Sequence, residues 1–235
     1  MISPRQPGQA LLAISLVAAL LAWAPASSRS EEQGAWQYVE QVLLGKGSVV
    51  RWTEPARLYV RGADESELRQ MQDVLRAING TLGGTKMQVS GPLADTIDYD
   101  HAVVVNLQPE SFFLRTPITA IRQIENPLPD TAGRTRTDAP AGIINFSSIL
   151  VRQGLPLDST VRTMLHELLH ALGLVGHAEG NTVMAASISP GRELTALTPL
   201  DRKALRFLYL HLQPGDGPAE VRRAFDAHWR SIPDS

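Results

Sequence analysis

The chain has 235 residues, no cysteine, 43% hydrophobic residues and a formal net charge of −2. This composition is typical of a globular protein, and the near-neutral charge, without a run of lysine or arginine, gives no electrostatic basis for nucleic-acid binding. The absence of cysteine excludes disulfides, cysteine metal ligands, a thiol nucleophile and a lipid-modified cysteine.

The first 26 residues have the pattern of a signal peptide. Arg5 precedes an apolar run at residues 10–24, and Ala24-Pro25-Ala26 offers a small-residue cleavage site. The run is shorter than the roughly 20 apolar residues of a membrane-spanning helix. We therefore predict a secreted or periplasmic protein with no stable membrane anchor once the signal peptide has been cleaved.

Residues 27–48 are predicted to form an N-terminal arm or a short pro-segment. Their apolar side chains include Trp36, Tyr38, Val39 and Val42. This apolar character favours a segment that packs on the domain that follows it.

A domain of strands and helices is predicted over residues 49–212. Residues 49–52 and 56–60 are rich in β-branched and aromatic side chains, which is typical of strands. Further short apolar runs predict strands at 87–89, 102–105 and 142–146. The interval 110–140, with repeated Pro, Gly, Asp and Arg, is predicted to be a long loop, and loops of this length are more often functional or mobile than incidental.

A helix is predicted between the first strands. Asp64 and Glu67 form a potential capping box at its start, and Gly80 marks its end. Its apolar side chains share one face at helical spacing: Leu68, Met71, Leu75 and Ile78.

The stretch His166-Glu167-Leu168-Leu169-His170 indicates a metal site on a second helix. Residues four apart lie nearly above one another on a helix, so His166 and His170 can present two ring nitrogens to one ion. Glu167 points about 100° further around the helix, where a carboxylate can act on a metal-bound water without being a ligand. The opposite side is apolar, with Val161, Met164, Leu165, Leu168 and Leu172.

The ends of this helix are also predicted from sequence. Asp158 or Ser159 can cap the N–H groups of its first turn. Gly173 can adopt the left-handed conformation that ends a helix and lets the chain turn back.

A third ligand is expected because catalytic zinc usually has three protein ligands and one open position. His177, just beyond the Gly173 turn, is the predicted third ligand, and a neutral imidazole suits zinc. Glu179 is the nearest acidic substitute, and Glu193 is a more distant one.

A last helix of the domain is predicted from Thr198 to about Leu212. Thr198 can be its N-cap, Pro199 fits the first helical position, and Asp201 lies near the positive helix end. Residues 213–235 are predicted to add a short C-terminal amphipathic helix.

These residues resemble the metzincin clan of zinc endopeptidases, and within it the matrixin-like branch, whose pattern is H-E-x-x-H-x-x-G-x-x-H followed by a methionine turn. In this chain Leu174, Val175 and Gly176 occupy an interval where the family has two residues, so His177 lies one residue late. The resemblance implies that residues 181–185 are the methionine turn and that Met184 packs beneath the metal. An ordinary core methionine is the alternative for Met184.

The resemblance implies an α+β, zincin/metzincin-like fold. Its parts are a mixed twisted β-sheet, a long N-terminal helix, an active-site helix, a methionine turn and a C-terminal helix. It also implies an edge strand beside the cleft within residues 110–140, along which a peptide would lie extended. Residues 118–121 are either part of that strand or a hydrophobic anchor inside the loop.

The predicted function is that of a secreted zinc endopeptidase acting on a peptide or protein substrate. His166, His170 and His177 would hold Zn²⁺, and Glu167 would accept a proton as the zinc-bound water attacks a peptide carbonyl. The alternative is a non-catalytic zincin-like metal-binding or protein-interaction domain. The displaced His177 favours that alternative, and Glu167 argues against it.

Overall fold

The computed structural model of the protein describes residues 26–93, 99–115, 132–186 and 194–234. The chain divides into two compact units, residues 1–37 and 38–235. Among the described residues, no helix combines the length and the apolar character needed to cross a bilayer. The predicted signal peptide, apart from Ala26, lies outside the described residues, as do residues 118–121 and Glu193.

A five-stranded mixed sheet forms the centre of the second unit, with the strand order β2-β1-β3-β5-β4. β1 pairs in parallel with β2 and β3, and β3 pairs in parallel with β5. β4 pairs antiparallel with β5, so β4 is the edge strand on that side of the described sheet. The strands are β1 (Ala56–Arg61), β2 (Val89–Leu93), β3 (Ala102–Gln108), β4 (Gly133–Asp138) and β5 (Phe146–Arg152).

Helices precede, connect and follow these strands, so the predicted combination of a mixed sheet with helices is confirmed. They are α1 (Ala26–Leu43), α2 (Glu65–Thr81), α3 (Glu110–Arg115), α4 (Leu157–Ala171), α5 (Pro199–His211) and α6 (Pro218–His228). Two 3₁₀ turns are formed by Pro140–Gly142 and Trp229–Ser231.

The helix α4 packs across β4 and β5. Its apolar side chains Met164, Leu165, Leu168 and Leu169 are at most 1% exposed. Full burial of a side chain of this size stabilises the fold by about 1.5 to 3 kcal/mol. This packing fixes the helix that carries His166, Glu167 and His170 against the edge of the sheet.

The predicted capping box of α2 and the predicted N-cap Thr198 of α5 are confirmed, and the N-cap of α5 is also part of a capping box. In α2, Glu67 N–H donates to Asp64 Oδ1 and Asp64 N–H donates to Glu67 Oε2, both at 2.8 Å. In α5, Thr198 and Asp201 exchange the equivalent bonds. Gly173 also has the predicted left-handed φ, +106°, directly after α4, and a Cβ there would lie 2.2 Å from the carbonyl oxygen of Val50.

The predicted cap of α4 is wrong. The helix begins at Leu157 after Pro156, and no side chain caps it. Pro156 has an extended ψ of 149°, so the chain enters the helix before Asp158 and Ser159. Asp158 therefore lies in the first turn instead of at the cap.

Two predicted strands also differ from the structure. Residues 49–52 make only an isolated bridge, between Arg51 and Ile143, and do not join the sheet. Of residues 142–146, only Phe146 belongs to a strand, because Gly142 ends a 3₁₀ turn with a left-handed φ of +81° and β5 begins at Phe146. The interval 110–140 was predicted as a long loop, within which the resemblance implied an edge strand. It contains α3 and the edge strand β4.

The C-terminal helix α6 packs on α5. The rings of Phe225 and Trp229 meet the ring of Phe207 edge-on, with centroids 6.1 and 5.7 Å away. At the same contact, the rings of His211 and His228 stack at 4.2 Å.

Candidate metal centre

Three histidines from α4 and the segment after it meet at one point. The Nε2 atoms of His170 and His166 are 3.1 Å apart, and those of His170 and His177 are 3.2 Å apart. The candidate ligand atoms of the three residues all lie within 4.8 Å of one another. The structure thus brings together the three histidines that the sequence predicted as metal ligands.

The other ring nitrogen of two of these histidines faces a backbone carbonyl. His166 Nδ1 lies 2.7 Å from Val183 O, and His170 Nδ1 lies 2.6 Å from Leu174 O. A carbonyl only accepts, so this hydrogen-bond network assigns the proton to Nδ1 and leaves Nε2 with its lone pair. Fixing the tautomer through the outer nitrogen is the usual way in which proteins orient metal-binding histidines.

The converging Nε2 atoms fit a metal ion. Lone pairs that face each other at hydrogen-bonding distance repel unless a proton or a cation lies between them. Three nitrogens bound to tetrahedral zinc at 2.0 to 2.1 Å would be about 3.3 Å apart, close to the separations found here. The donor set and its spacing therefore suit zinc.

Burial keeps these imidazoles neutral. It lowers the pKa of His166 to about 4 and, together with the neighbouring His166, the pKa of His170 to about 3. Burial also lowers the pKa of His177. Because the neutral imidazole is the form that binds metal, the ring nitrogens are in their ligand form at neutral pH.

The loop of residues 178–185 contacts the histidine cluster. Met184 is fully buried, and its carbonyl accepts a hydrogen bond from Ala178 N–H at 3.0 Å, next to His177. Its own N–H donates to Thr182 Oγ1 at 3.2 Å. The same loop supplies the Val183 carbonyl that orients His166.

The carboxylate of Asp201, which is fully buried, holds this loop in place. Its Oδ2 accepts hydrogen bonds from Val183 N–H at 3.2 Å and Thr198 N–H at 2.9 Å. Its Oδ1 accepts from Thr182 Oγ1 and from Tyr38 Oη of α1. Burial and the neighbouring carboxylate raise the pKa of Tyr38 above its ordinary value, so the phenol remains a donor. These bonds connect Asp201 to His166 through Val183.

Glu167 follows His166 on α4, and its side chain contacts the edge strand β4. Only 4% of its surface is exposed, and burial raises the pKa of its carboxyl to about 7. Thr135 Oγ1 of β4 lies 2.7 Å from Glu167 Oε2 and donates to it, which favours the ionised form. The charges of Arg162 and Arg134 act in the same direction. The carboxyl is therefore poised to gain or lose a proton near neutral pH.

The Glu167 side chain packs against Gly133 of β4, where a larger residue would clash with it. A Cβ at position 133 would lie 2.5 Å from Thr163 Cγ2 and 2.9 Å from Glu167 Cγ. Sequence reasoning missed Gly133 and Thr135, because the strand that carries them has the polar sequence GRTRTD and no apolar alternation.

A cation also lies on the metal side of α4. Arg162 precedes His166 by four residues, and its Nη2 donates to the carbonyl oxygen of Ala185 at 2.5 Å. Its charge lowers the pKa of both His166 and His177. Sequence reasoning did not single out Arg162.

The predicted acidic substitutes for the third ligand have different outcomes. Glu179 is exposed and is not part of the histidine group. Glu193 lies outside the described residues.

No protein-family model matches the sequence, and no curated protein matches it. Among solved structures, the chain is similar to high choriolytic enzyme 1, a hatching enzyme zinc-protease from the medaka fish Oryzias latipes. The identity is 13% and the TM-score is 0.33, and the match covers 77% of this chain and 94% of the fish enzyme.

Proposed function

We propose that the chain is a zinc-dependent endopeptidase of the metzincin clan with a matrixin-like site. One observation carries the proposal: three imidazole Nε2 atoms converge, and the residue after the first of these histidines is a buried glutamate whose pKa lies near neutrality. Clusters of ligands with a perturbed carboxyl next to them are typical of catalytic centres.

The three histidines would hold the ion in this proposal. When bound, zinc supplies Lewis-acid chemistry, because it lowers the pKa of water and polarises a carbonyl. Met184 would be the methionine of the turn beneath the site. The carbonyls of Val183 and Leu174 would keep the His166 and His170 rings directed at the ion.

Glu167 would act as the general base and then as the general acid. Its carboxylate accepts a proton from the attacking water while the water oxygen bonds to the peptide carbonyl carbon. It then returns the proton to the amide nitrogen as the carbon–nitrogen bond breaks. A group with a pKa near 7 can take part in both steps at neutral pH.

The edge strand β4 would align the substrate. Thr135 and Gly133 of this strand contact Glu167, so a peptide that added itself to β4 would run past the carboxylate. Backbone hydrogen bonds to an edge strand bind an extended peptide without requiring a particular sequence. This supports a substrate that is a peptide or a protein, cleaved within the chain. We also propose that the protein acts after export, as its first 26 residues suggest.

Cleavage of a diverse peptide library tests this function. The zinc-loaded protein should cleave internal peptide bonds, and Glu167→Ala should bind zinc but lose cleavage by about 10²- to 10⁴-fold, the range for one general acid–base group. A zinc-loaded protein that cleaves no peptide would support the non-catalytic metal-binding alternative. Equal cleavage by the two proteins would refute the role of Glu167.

A further inference from the structure

The connection between His170 and His177 has two halves that are held by different elements. The first half is held by α4, because Leu174 N–H donates to Leu169 O at 3.0 Å and Leu174 O accepts from His170 Nδ1. The second half is held by α1, because Gly176 N–H donates to Val42 O at 3.0 Å. The residue immediately before His177 is thus bound to the last turn of α1.

Two glycines allow this contact to be close. A Cβ at Gly176 would lie 1.9 Å from the carbonyl oxygen of Gln41, and a Cβ at Gly45 would lie 2.9 Å from Gly176 Cα. Neither glycine has a positive φ, so each is required by the approach of two backbones and not by its conformation. Backbone atoms cannot move aside as a flexible side chain can.

The end of α1 is itself firmly anchored. Val39, Val42 and Leu43 are fully buried. Tyr38 Oη donates to Asp201, the residue that holds the loop beneath the histidines. The end of α1 therefore contacts both Gly176, which precedes His177, and Asp201, which holds the loop that orients His166.

His177 depends on this contact more than the other two histidines do. His166 and His170 each have a backbone carbonyl at Nδ1. In the part of the chain that the structure describes, His177 has no such carbonyl, and its ring is exposed. The position of its ring is set by the backbone on either side of it, which is bound to Val42 O through Gly176 and to Met184 O through Ala178.

We propose that residues 41–45, the α1 turn, are a positioning element of the metal centre. The α1 turn holds the connection, which is one residue longer than the metzincin pattern, in the conformation that brings His177 to the other two histidines. The proposal rests on the metal-binding part of the proposed function and not on catalysis. It also gives the segment before the predicted domain a defined role in the site.

The test is a double-mutant cycle on zinc affinity, measured by competition with a chelator. Gly45→Ala should weaken zinc binding by about 10- to 100-fold, the usual effect of disturbing a residue that orients a ligand. In a His177→Ala background the same substitution should have little further effect, because the ligand through which it acts is gone. Gly176→Ala should act more strongly in the same direction. Gly80→Ala in α2 is the matched control, because a Cβ there meets nothing within 4 Å.

A second readout separates positioning from general destabilisation. The d–d absorption spectrum of the cobalt-substituted protein reports the ligands around the ion, and in Gly45→Ala it should shift towards that of His177→Ala. Equal losses of affinity in both backgrounds, or an unchanged affinity and spectrum, would overturn the proposal. If Gly45→Ala gives the expected affinities and spectrum but the native chain cleaves no peptide, the proposed function alone is overturned. If the native chain is an active peptidase but these affinities and this spectrum are not found, the positioning role alone is overturned.

Discussion

The hydrogen bond between Thr135 and Glu167 should set the pH at which activity is lost. Thr135→Val replaces the hydroxyl with a methyl group of similar size and removes the donor that lies 2.7 Å from Glu167 Oε2. The strand keeps its shape, since valine is well suited to β-structure. The hydroxyl also lies 2.9 Å from the backbone carbonyl oxygen of Glu167, and the carboxylate is the nearer of the two acceptors. The change therefore tests the hydrogen bonds of one hydroxyl to Glu167.

The size of the effect follows from the energy of that bond. A hydrogen bond to a charged group contributes about 1.5 to 3 kcal/mol, and one pKa unit corresponds to about 1.36 kcal/mol. Loss of the donor disfavours the ionised form, so the pKa of Glu167 should rise by about 1 to 2 units. Because the base must be ionised, the acidic limb of the kcat/KM profile should move to higher pH by a similar amount.

The assay is kcat/KM on a fluorogenic peptide from about pH 5 to about pH 9, with the zinc content determined at each pH. The variant should approach the activity of the native protein on the alkaline side. Thr137→Val is the control, because the Thr137 hydroxyl of the same strand accepts a hydrogen bond from Ser147 at 3.1 Å instead. An acidic limb that stays in place or moves to lower pH in Thr135→Val, or an equal shift in Thr137→Val, would refute the reasoning.

Three further variants or conditions test other parts of the site. Asp201→Asn replaces a carboxylate that accepts hydrogen bonds from several donors, so it should lower the free energy of unfolding, measured by chemical denaturation, by at least about 1.5 kcal/mol. It should also weaken zinc binding through His166. Unchanged zinc affinity would argue against the connection from Asp201 to His166 through Val183. Gly133→Ala should cost about 1 to 3 kcal/mol through overpacking against Glu167, and a variant as stable and as active as the native chain would show that this contact is not tight. The zinc-free protein should lose stability as the pH falls from about 6.5 towards 4.5. In this range unfolding lets His166 and His170 each take up a proton, while Glu167, whose pKa is raised in the fold, releases one. The unfolded chain therefore binds more protons than the folded chain, and acid favours unfolding. Denaturant titrations that show greater stability at the lower pH would contradict this balance.

The sequence was sufficient to predict the parts of the site that follow from local geometry. His166 and His170 are one helical turn apart, and Gly173 follows the end of their helix with a left-handed φ. The capping box at Asp64 and the N-cap at Thr198 were predictable for the same reason, since each depends on residues within one turn. Such features need no knowledge of the rest of the fold.

Features that depend on distant contacts were not predictable. The edge strand β4 is half-exposed and polar, so nothing in its sequence separates it from a loop, and only its pairing with β5 makes it a strand. Thr135 and Gly133 gain their roles by lying against Glu167, more than thirty residues away in sequence. The extra residue before His177 could be read only as a departure from a pattern until its contact with Val42 was visible.

X-ray absorption spectroscopy of the zinc-loaded protein tests the central claim most directly. The native chain should bind one zinc ion, with a first shell of three imidazole nitrogens at about 2.0 to 2.1 Å and at least one oxygen. His177→Ala should lose one of the nitrogens. A native site with only two imidazole nitrogens, or a chain that purifies without zinc and does not take it up, would contradict the account.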